Sequence, residues 1–264
     1  MSLSSIDNDS KDLANFGYKQ DLNRSMRKFS SFAVSFSLIS ILTGIFANFH
    51  FGYSEVGNFI PLSWTIVFAG QLIVALIMAE LSVNYPISGY GYQWTYRLVG
   101  PKLGFITGWL LLLQFLNGFP GICKALSILI SDLILQNFDV TISSLLISII
   151  IIWTVTFIHL KGINLVSKIN NFGVITEIIG VFMLISFLAY FLFKKSDLEM
   201  INNINTLNLS DLTLKSFALS ILLGSWCLTG FEAAADMSEE TKDPKSTVPK
   251  SIMYSLVSSG ILGL

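Results

Sequence analysis

The chain has 264 residues, 53% hydrophobic and only 12% charged, with a formal net charge of −1 and a mean hydropathy of +0.68. Soluble domains carry roughly 25% charged residues, so this chain cannot cover a water-facing surface. Its apolar content excludes a disordered chain, and its balanced charge without a basic stripe excludes a nucleic-acid partner.

In chain order, residues 1–28 are polar, carry both charge signs and lack the pattern of a signal peptide. We read them as a cytoplasmic N-terminus followed by a first helix that directs insertion. Charges then punctuate long apolar runs. None lies between Lys28 and Glu55, Glu55 and Glu80, Lys102 and Lys124, Asp139 and Lys161, Glu177 and Lys194, or Lys215 and Glu232. A spanning helix needs about 20 mostly apolar residues. In lipid the backbone must satisfy its own hydrogen bonds, and these runs lack the alternation of barrel strands. The spacing predicts helices over 29–51, 61–85, 103–130, 142–160, 163–193 and 216–237, with an outer loop over 194–215. A seventh helix is expected from Ser251 to Leu264. It would rise about 21 Å, short of a hydrocarbon core of roughly 30 Å, so the chain is expected to stop partway through it. Cys123 and Cys227 make no disulfide framework. The fold class is an all-α integral membrane protein of about six spanning helices and the start of a seventh.

Lys and Arg concentrate in 1–28, 97–102, 161–168 and 242–250, against Lys194, Lys195 and Lys215 on the other side. The positive-inside rule then places the N-terminus in the cytoplasm.

Two segments are interrupted. The first holds Ser40-Ile41-Leu42-Thr43-Gly44-Ile45 near its centre, and the sixth holds Gly224 through Glu232, including Gly230. Gly-interrupted helices at matching places in two halves point to a transporter built from inverted repeats. An unwound turn would offer N–H groups to a carboxylate and carbonyls to an ammonium. The other reading is that Gly44 and Gly230 only let helices pack closely. Both stay open from spacing alone.

Charges inside the segments are costly and are functional candidates by default. Glu177 is either a proton-loading group for coupling or a neutral carboxyl bonded to a neighbouring helix. Glu232 either satisfies a helix dipole or links binding to gating. Lys124 either snorkels outward or lines the bundle. Asp236 with Glu239 and Glu240 reads as a solvated end of the sixth helix.

The stretch Met78-Ala79-Glu80-Leu81-Ser82-Val83-Asn84-Tyr85-Pro86-Ile87-Ser88-Gly89, continuing YGYQW to Trp94, resembles the segment after the second helix in amino acid permeases. That superfamily transports amino acids, polyamines and organocations. The opening GYKQDLNRSMRKFSSFAVSFSLISILTGIF and the later GFEAAADMSEETKDPKSTVPKSI are similar to its amino acid and choline transporter group. The resemblance implies an incomplete LeuT-like fold, with a first five-helix repeat over 29–193 and the start of a second over 216–264. It implies substrate at the breaks of helices one and six: an amino acid, 4-aminobutyrate, a polyamine or a choline-like amine. Carried onto this sequence, the helix-one site is Leu42, Thr43, Gly44 and Ile45. The helix-six site is Trp226, Leu228, Thr229 and Gly230, with Trp226 as an aromatic gate, and Gln114 and Phe115 match a substrate-touching part of helix three. Two departures stand out. Leu42 replaces the first glycine of the family's Gly-Ser-Gly. Glu177 stands where some proton-coupled members have a lysine, six residues after an Asn-Asn pair like Asn170-Asn171, so a lysine-based mechanism does not transfer.

No enzyme motif is present: neither HExxH, a phosphate-binding glycine loop, nor a nucleophile elbow. No cofactor is expected beyond a coupling proton or Na+. The expected function is secondary transport, by ion coupling or exchange, in the plasma membrane. The competing expectation is a truncated permease without transport activity, or half of a split transporter working with a complementary C-terminal half.

Overall fold

A computed structural model describes residues 12–194 and 213–264. Lys11, Lys195 and most of the expected outer loop 194–215 lie outside the described residues. The helices are α1 (Lys28–Ile39), α2 (Ile41–Val56), α3 (Ile60–Asn84), α4 (Tyr90–Leu98), α5 (Pro101–Phe138), α6 (Ser144–Leu160), α7 (Ile163–Lys194), α8 (Leu214–Cys227), α9 (Ala233–Asp236) and α10 (Pro244–Leu262). Short 3-10 turns occupy Gly57–Phe59 and Ser238–Glu240. Among the described residues, four stretches are long and apolar enough to cross a membrane: Lys28–Phe46, Asn48–Asn84, Pro101–Phe138 and Ile163–Phe191. Ser144–Leu160 and Leu214–Cys227 are apolar but shorter.

The helices differ from the sequence-based segments in five places: α4 was not expected, segment 103–130 runs on to Phe138, and three others change as follows. Segment 29–51 is two helices, split at Ser40, and the second runs on to Val56. Segment 216–237 is likewise split, between Cys227 and Ala233. The helix expected from Ser251 begins at Pro244, because proline at a helix start lacks only an N–H that would have no partner there.

The chain forms two compact units, Met1–Ser88 with Ile169–Leu264, and Gly89–Lys168. In the first, α10 packs against α3 and α1. Its buried face is a ladder of Ser251, Ser255 and Ser259 beside Val248, Ile252 and Leu256. Small residues let helices approach closely where lipid supplies no hydrophobic drive between them. Trp64 Nε1 donates to the Gly260 carbonyl at 3.0 Å, and a Cβ at Gly260 would overlap the Phe68 ring.

Residues 12–27 fold back on the segment after the sixth helix. Met26 N–H donates to the Glu240 carbonyl and Lys242 N–H to the Met26 carbonyl, both at 3.0 Å. Arg24 donates to the carbonyls of Ser238 at 3.1 Å and Thr241 at 2.7 Å, and Asp12 pairs with Lys245 at 2.7 Å. Leu13 and Met26 of this arm are buried. Glu239 accepts from the Ser88 N–H at 3.2 Å. The end of the sixth helix is therefore covered rather than solvated: Glu239 and Glu240 are half-buried. Burial, and secondarily the charge of Glu239, raise the Glu240 pKa above its usual value.

In the second unit, α4 lies on the first turns of α5. A Cβ at Gly104 would sit 2.8 Å from Tyr96 Cα, so only glycine permits this approach. The long α5 carries Pro120 in its interior. It is tied to the start of α6 by a Lys124 Nζ–Ser144 Oγ hydrogen bond of 2.5 Å. The Ser131 hydroxyl donates to the Ile142 carbonyl at 2.8 Å.

Candidate functional site

The first break falls at Ser40, whose φ of 43° and ψ of 66° are left-handed. A non-glycine residue there costs about 1–2 kcal/mol. Gly44 N–H closes the first bond of α2 onto the Ser40 carbonyl at 2.8 Å, so the amides before it point out of the helix end. Glu177, on α7, takes this position. Its Oε1 accepts from Ser40 Oγ at 3.2 Å and from Leu42 N–H at 3.4 Å. A carboxylate is favoured there by the partial positive charge of a helix N-terminus. Two more polar pairs join α1 to α7: Ser37 Oγ donates to Asn170 Oδ1 at 2.7 Å, and Asn171 Nδ2 donates to Ser30 Oγ at 3.0 Å. Between these pairs Ala33, Phe36 and Val174 form a buried apolar cluster.

The second break spans 228–232. Gly230 has φ +116°, which side-chain-bearing residues rarely adopt. A Cβ there would also lie 3.0 Å from the Leu38 carbonyl carbon and 3.1 Å from Ile39 N. Glu232 Oε2 accepts from Gly230 N–H at 3.0 Å, and its side chain is buried. Ser35 Oγ accepts from Ala234 N–H at 2.9 Å and donates to the Phe231 carbonyl at 2.7 Å.

The two breaks therefore touch. Gly230 lies on the end of α1, Ser35 of α1 bonds both sides of the second break, and a Cβ at Gly44 would stand 2.9 Å from Cys227 Sγ. Gly44 itself is helical, buried and closely packed, and the unwinding sits four residues earlier. Each break carries a carboxylate bound to its freed amides. Chemically, the arrangement can present carboxylate and helix-end carbonyl oxygens to an ammonium, and the remaining first-turn N–H groups of α2 to a carboxylate.

Other sequence-derived residues scatter more widely. Leu42 and Ile45 are half-buried and Thr43 is exposed. Leu228 is fully buried, so its side chain faces the interior, and Trp226 is 63% exposed. The exposed Thr229 returns its hydroxyl to the Ser225 carbonyl at 2.5 Å. Gln114 and Phe115 are exposed on α5, in the second unit. Ser35 was overlooked from sequence, and Ser40 was placed in the interrupted stretch but given no role in the site. Their signal was weak: hydroxyls in a charge-free run, five residues apart. Among the described residues no three His, Cys, Asp or Glu side chains converge on a metal-sized point.

A family model described as amino acid permease matches residues 27–264. The chain belongs to the amino acid permease family. This permease chain is 29% identical over 268 residues to amino-acid permease BAT1 of Arabidopsis thaliana, an alignment covering 95% of the chain and 52% of that protein. It is 24% identical over 235 residues to branched-chain amino acid permease BcaP of Bacillus subtilis, covering 83% and 49% respectively. It is 20% identical over 203 residues to the low-affinity putrescine importer PlaP of Escherichia coli, covering 77% and 44%. The chain spans about half the length of the curated relatives it matches. Family membership makes it a transporter-type protein rather than an enzyme, and with its four long apolar helices an integral membrane protein.

Proposed function

We propose that this chain contributes to secondary active transport of amino acids or related amines across the plasma membrane, with its N-terminus in the cytoplasm. The carrying observation is the contact of the two helix breaks, Gly230 against Leu38 and Ile39. In this reading the fold is LeuT-like, with six spanning helices and a seventh, and 29–193 is the first inverted repeat. Substrate sits at Leu42, Thr43, Gly44 and Ile45 on one side and Trp226, Leu228, Thr229 and Gly230 on the other. The relatives' names share an ammonium: amino acid for BAT1, branched-chain amino acid for BcaP, putrescine for PlaP. An ammonium is what the carboxylates and helix-end carbonyls suit best.

Glu177 is the coupling group in this scheme. Its carboxylate holds the first turn of α2 through Leu42 and Ser40. Protonation, or competition by a substrate ammonium, loosens that hold, linking cation binding to the shape of break one. Glu232 does the same locally at break six.

The test is uptake of labelled amino acids, putrescine, 4-aminobutyrate and choline into proteoliposomes, with and without pH and Na+ gradients. Saturable uptake of at least one amine, driven by a gradient or by exchange and abolished by Gly230→Leu, is expected. Uptake unchanged by Gly230→Leu removes the breaks as the site, and no flux for any amine removes the transport reading.

A further inference from the structure

A cavity of about 570 Å³ lies where Arg27, Lys28 and Phe29, at the start of α1, meet Lys242, Asp243 and Thr247, at the start of α10. It is distinct from the breaks, and the transport reading makes no use of it.

Its charge is unbalanced. Three cations face one carboxylate. The neighbouring basic residues are occupied: Lys245 pairs with Asp12, and Arg24 is spent on the carbonyls of Ser238 and Thr241. The side chains of Arg27, Lys28 and Lys242 make no hydrogen bond or ion pair among the described residues. Three like charges lining one cavity repel, and an anion beyond Asp243 relieves that repulsion.

The gathering is held by backbone. The bonds from Met26 N–H to Glu240 and from Lys242 N–H to Met26 put Arg27 beside Lys242 whatever their side chains do. Two helix N-termini add to the field. Arg27 caps α1 and Asp243 caps α10, and neither supplies a side-chain hydrogen bond to its helix. Both helices therefore present partial positive charge toward this corner.

Depth favours one source of anion. Lys28 is the first residue of an apolar stretch that runs to Phe46, so it marks the boundary between water and hydrocarbon. Lipid phosphates lie at that level, and basic pockets between membrane helices bind anionic headgroups there. Phe29 is 44% exposed beside the cations and offers apolar surface to an acyl chain, which free phosphate has no use for.

We propose that this cavity binds the phosphate group of an anionic membrane lipid, with Arg27, Lys28 and Lys242 on the phosphate oxygens and Phe29 against the acyl region. Inorganic phosphate shares the chemistry and is the competing source.

Native mass spectrometry of the full chain in detergent, titrated with phosphatidylglycerol, phosphatidylcholine or inorganic phosphate, tests this. Each basic residue near a membrane surface is worth about a fivefold change in affinity. Arg27→Gln/Lys28→Gln/Lys242→Gln is therefore expected to weaken phosphatidylglycerol binding about a hundredfold. Lys102→Gln/Lys161→Gln/Lys168→Gln, which removes the same charge elsewhere, leaves it unchanged. Equal losses in both triple variants, or none in the first, overturn the site. Displacement of phosphatidylglycerol by an equal concentration of inorganic phosphate overturns the lipid assignment. If the first triple variant does not fold, Lys242→Gln carries the test: about fivefold weakening is expected, and unchanged binding overturns the proposal.

Discussion

The two breaks solve one problem differently. Break six is closed by its own chain: Gly230 supplies the backbone angle, and Glu232, two residues on, takes the freed amide. Break one has no glycine at its turning point and no acid nearby in sequence. Ser40 takes the left-handed angle, and the acid comes from α7. Break six thus combines a turn of its own with the Ser35 contact from α1, whereas break one has no acid of its own and is conditional on the contact of α7 with Ser40 and Leu42. A conditional break is the better place for a switch, because a change at one carboxylate alters it without breaking the chain's own turn.

The strongest challenge to this contrast is Gly230→Ala. The angle and the contact with Leu38 and Ile39 both oppose a Cβ. A loss of about 3 kcal/mol or more is expected, seen as a lowered unfolding midpoint in detergent. A cost below about 1 kcal/mol would mean that break six is as adaptable as break one. Glu177→Gln comes next. It removes the charge from a charge-assisted contact, at about 1–2 kcal/mol, and hydrogen exchange should accelerate at the first amides of α2 while those at 230–234 stay unchanged. Faster exchange at both breaks would show that they are not independent.

Gly44→Ala probes the point where the breaks meet. Its Cβ would lie 2.9 Å from Cys227 Sγ, an overpacking expected to cost about 1–2 kcal/mol. Adding Cys227→Ala should recover most of the loss in a double-mutant cycle; strict additivity would dissociate the two residues.

The smallest effect belongs to the arm that covers the segment after break six. The Glu240 pKa is raised above 4.5 in the folded protein, by burial first and Glu239 second. The folded state therefore holds this proton more readily than the unfolded state, and the stability the proton confers fades as pH rises from 4.5 through the raised value. Glu240→Gln should slow tryptic cleavage after Lys19 and Arg27 at neutral pH and make little difference below the usual carboxylate range. Equal rates at neutral pH would show that the charge is not borne by the arm contact.

Much of the helical plan was legible because lipid disfavours scattered charge: the expected segments 61–85, 142–160 and 163–193 match Ile60–Asn84, Ser144–Leu160 and Ile163–Lys194 to within two residues. Break six was legible through Gly230. Break one was displaced because the eye goes to Gly44, yet a serine can hold a left-handed angle when its hydroxyl gains a carboxylate. The arm was missed for a physical reason. Arg24, Gln20 and Met26 bind carbonyls and amides, which every residue has, so no pattern in the partner advertises the contact. Ser35 escaped likewise, since both its partners are backbone atoms.

The contact of Ser35 with Phe231, and that of Trp64 with Gly260, each join residues 196 positions apart. At roughly 5–20 residues per second of synthesis, α1 enters the bilayer some ten to forty seconds before its partner exists. Its Ser35 must spend that interval against the insertion machinery or lipid headgroups. The birth of this protein therefore has a vulnerable window, and its length is set by sequence separation rather than by the strength of any bond in the finished bundle.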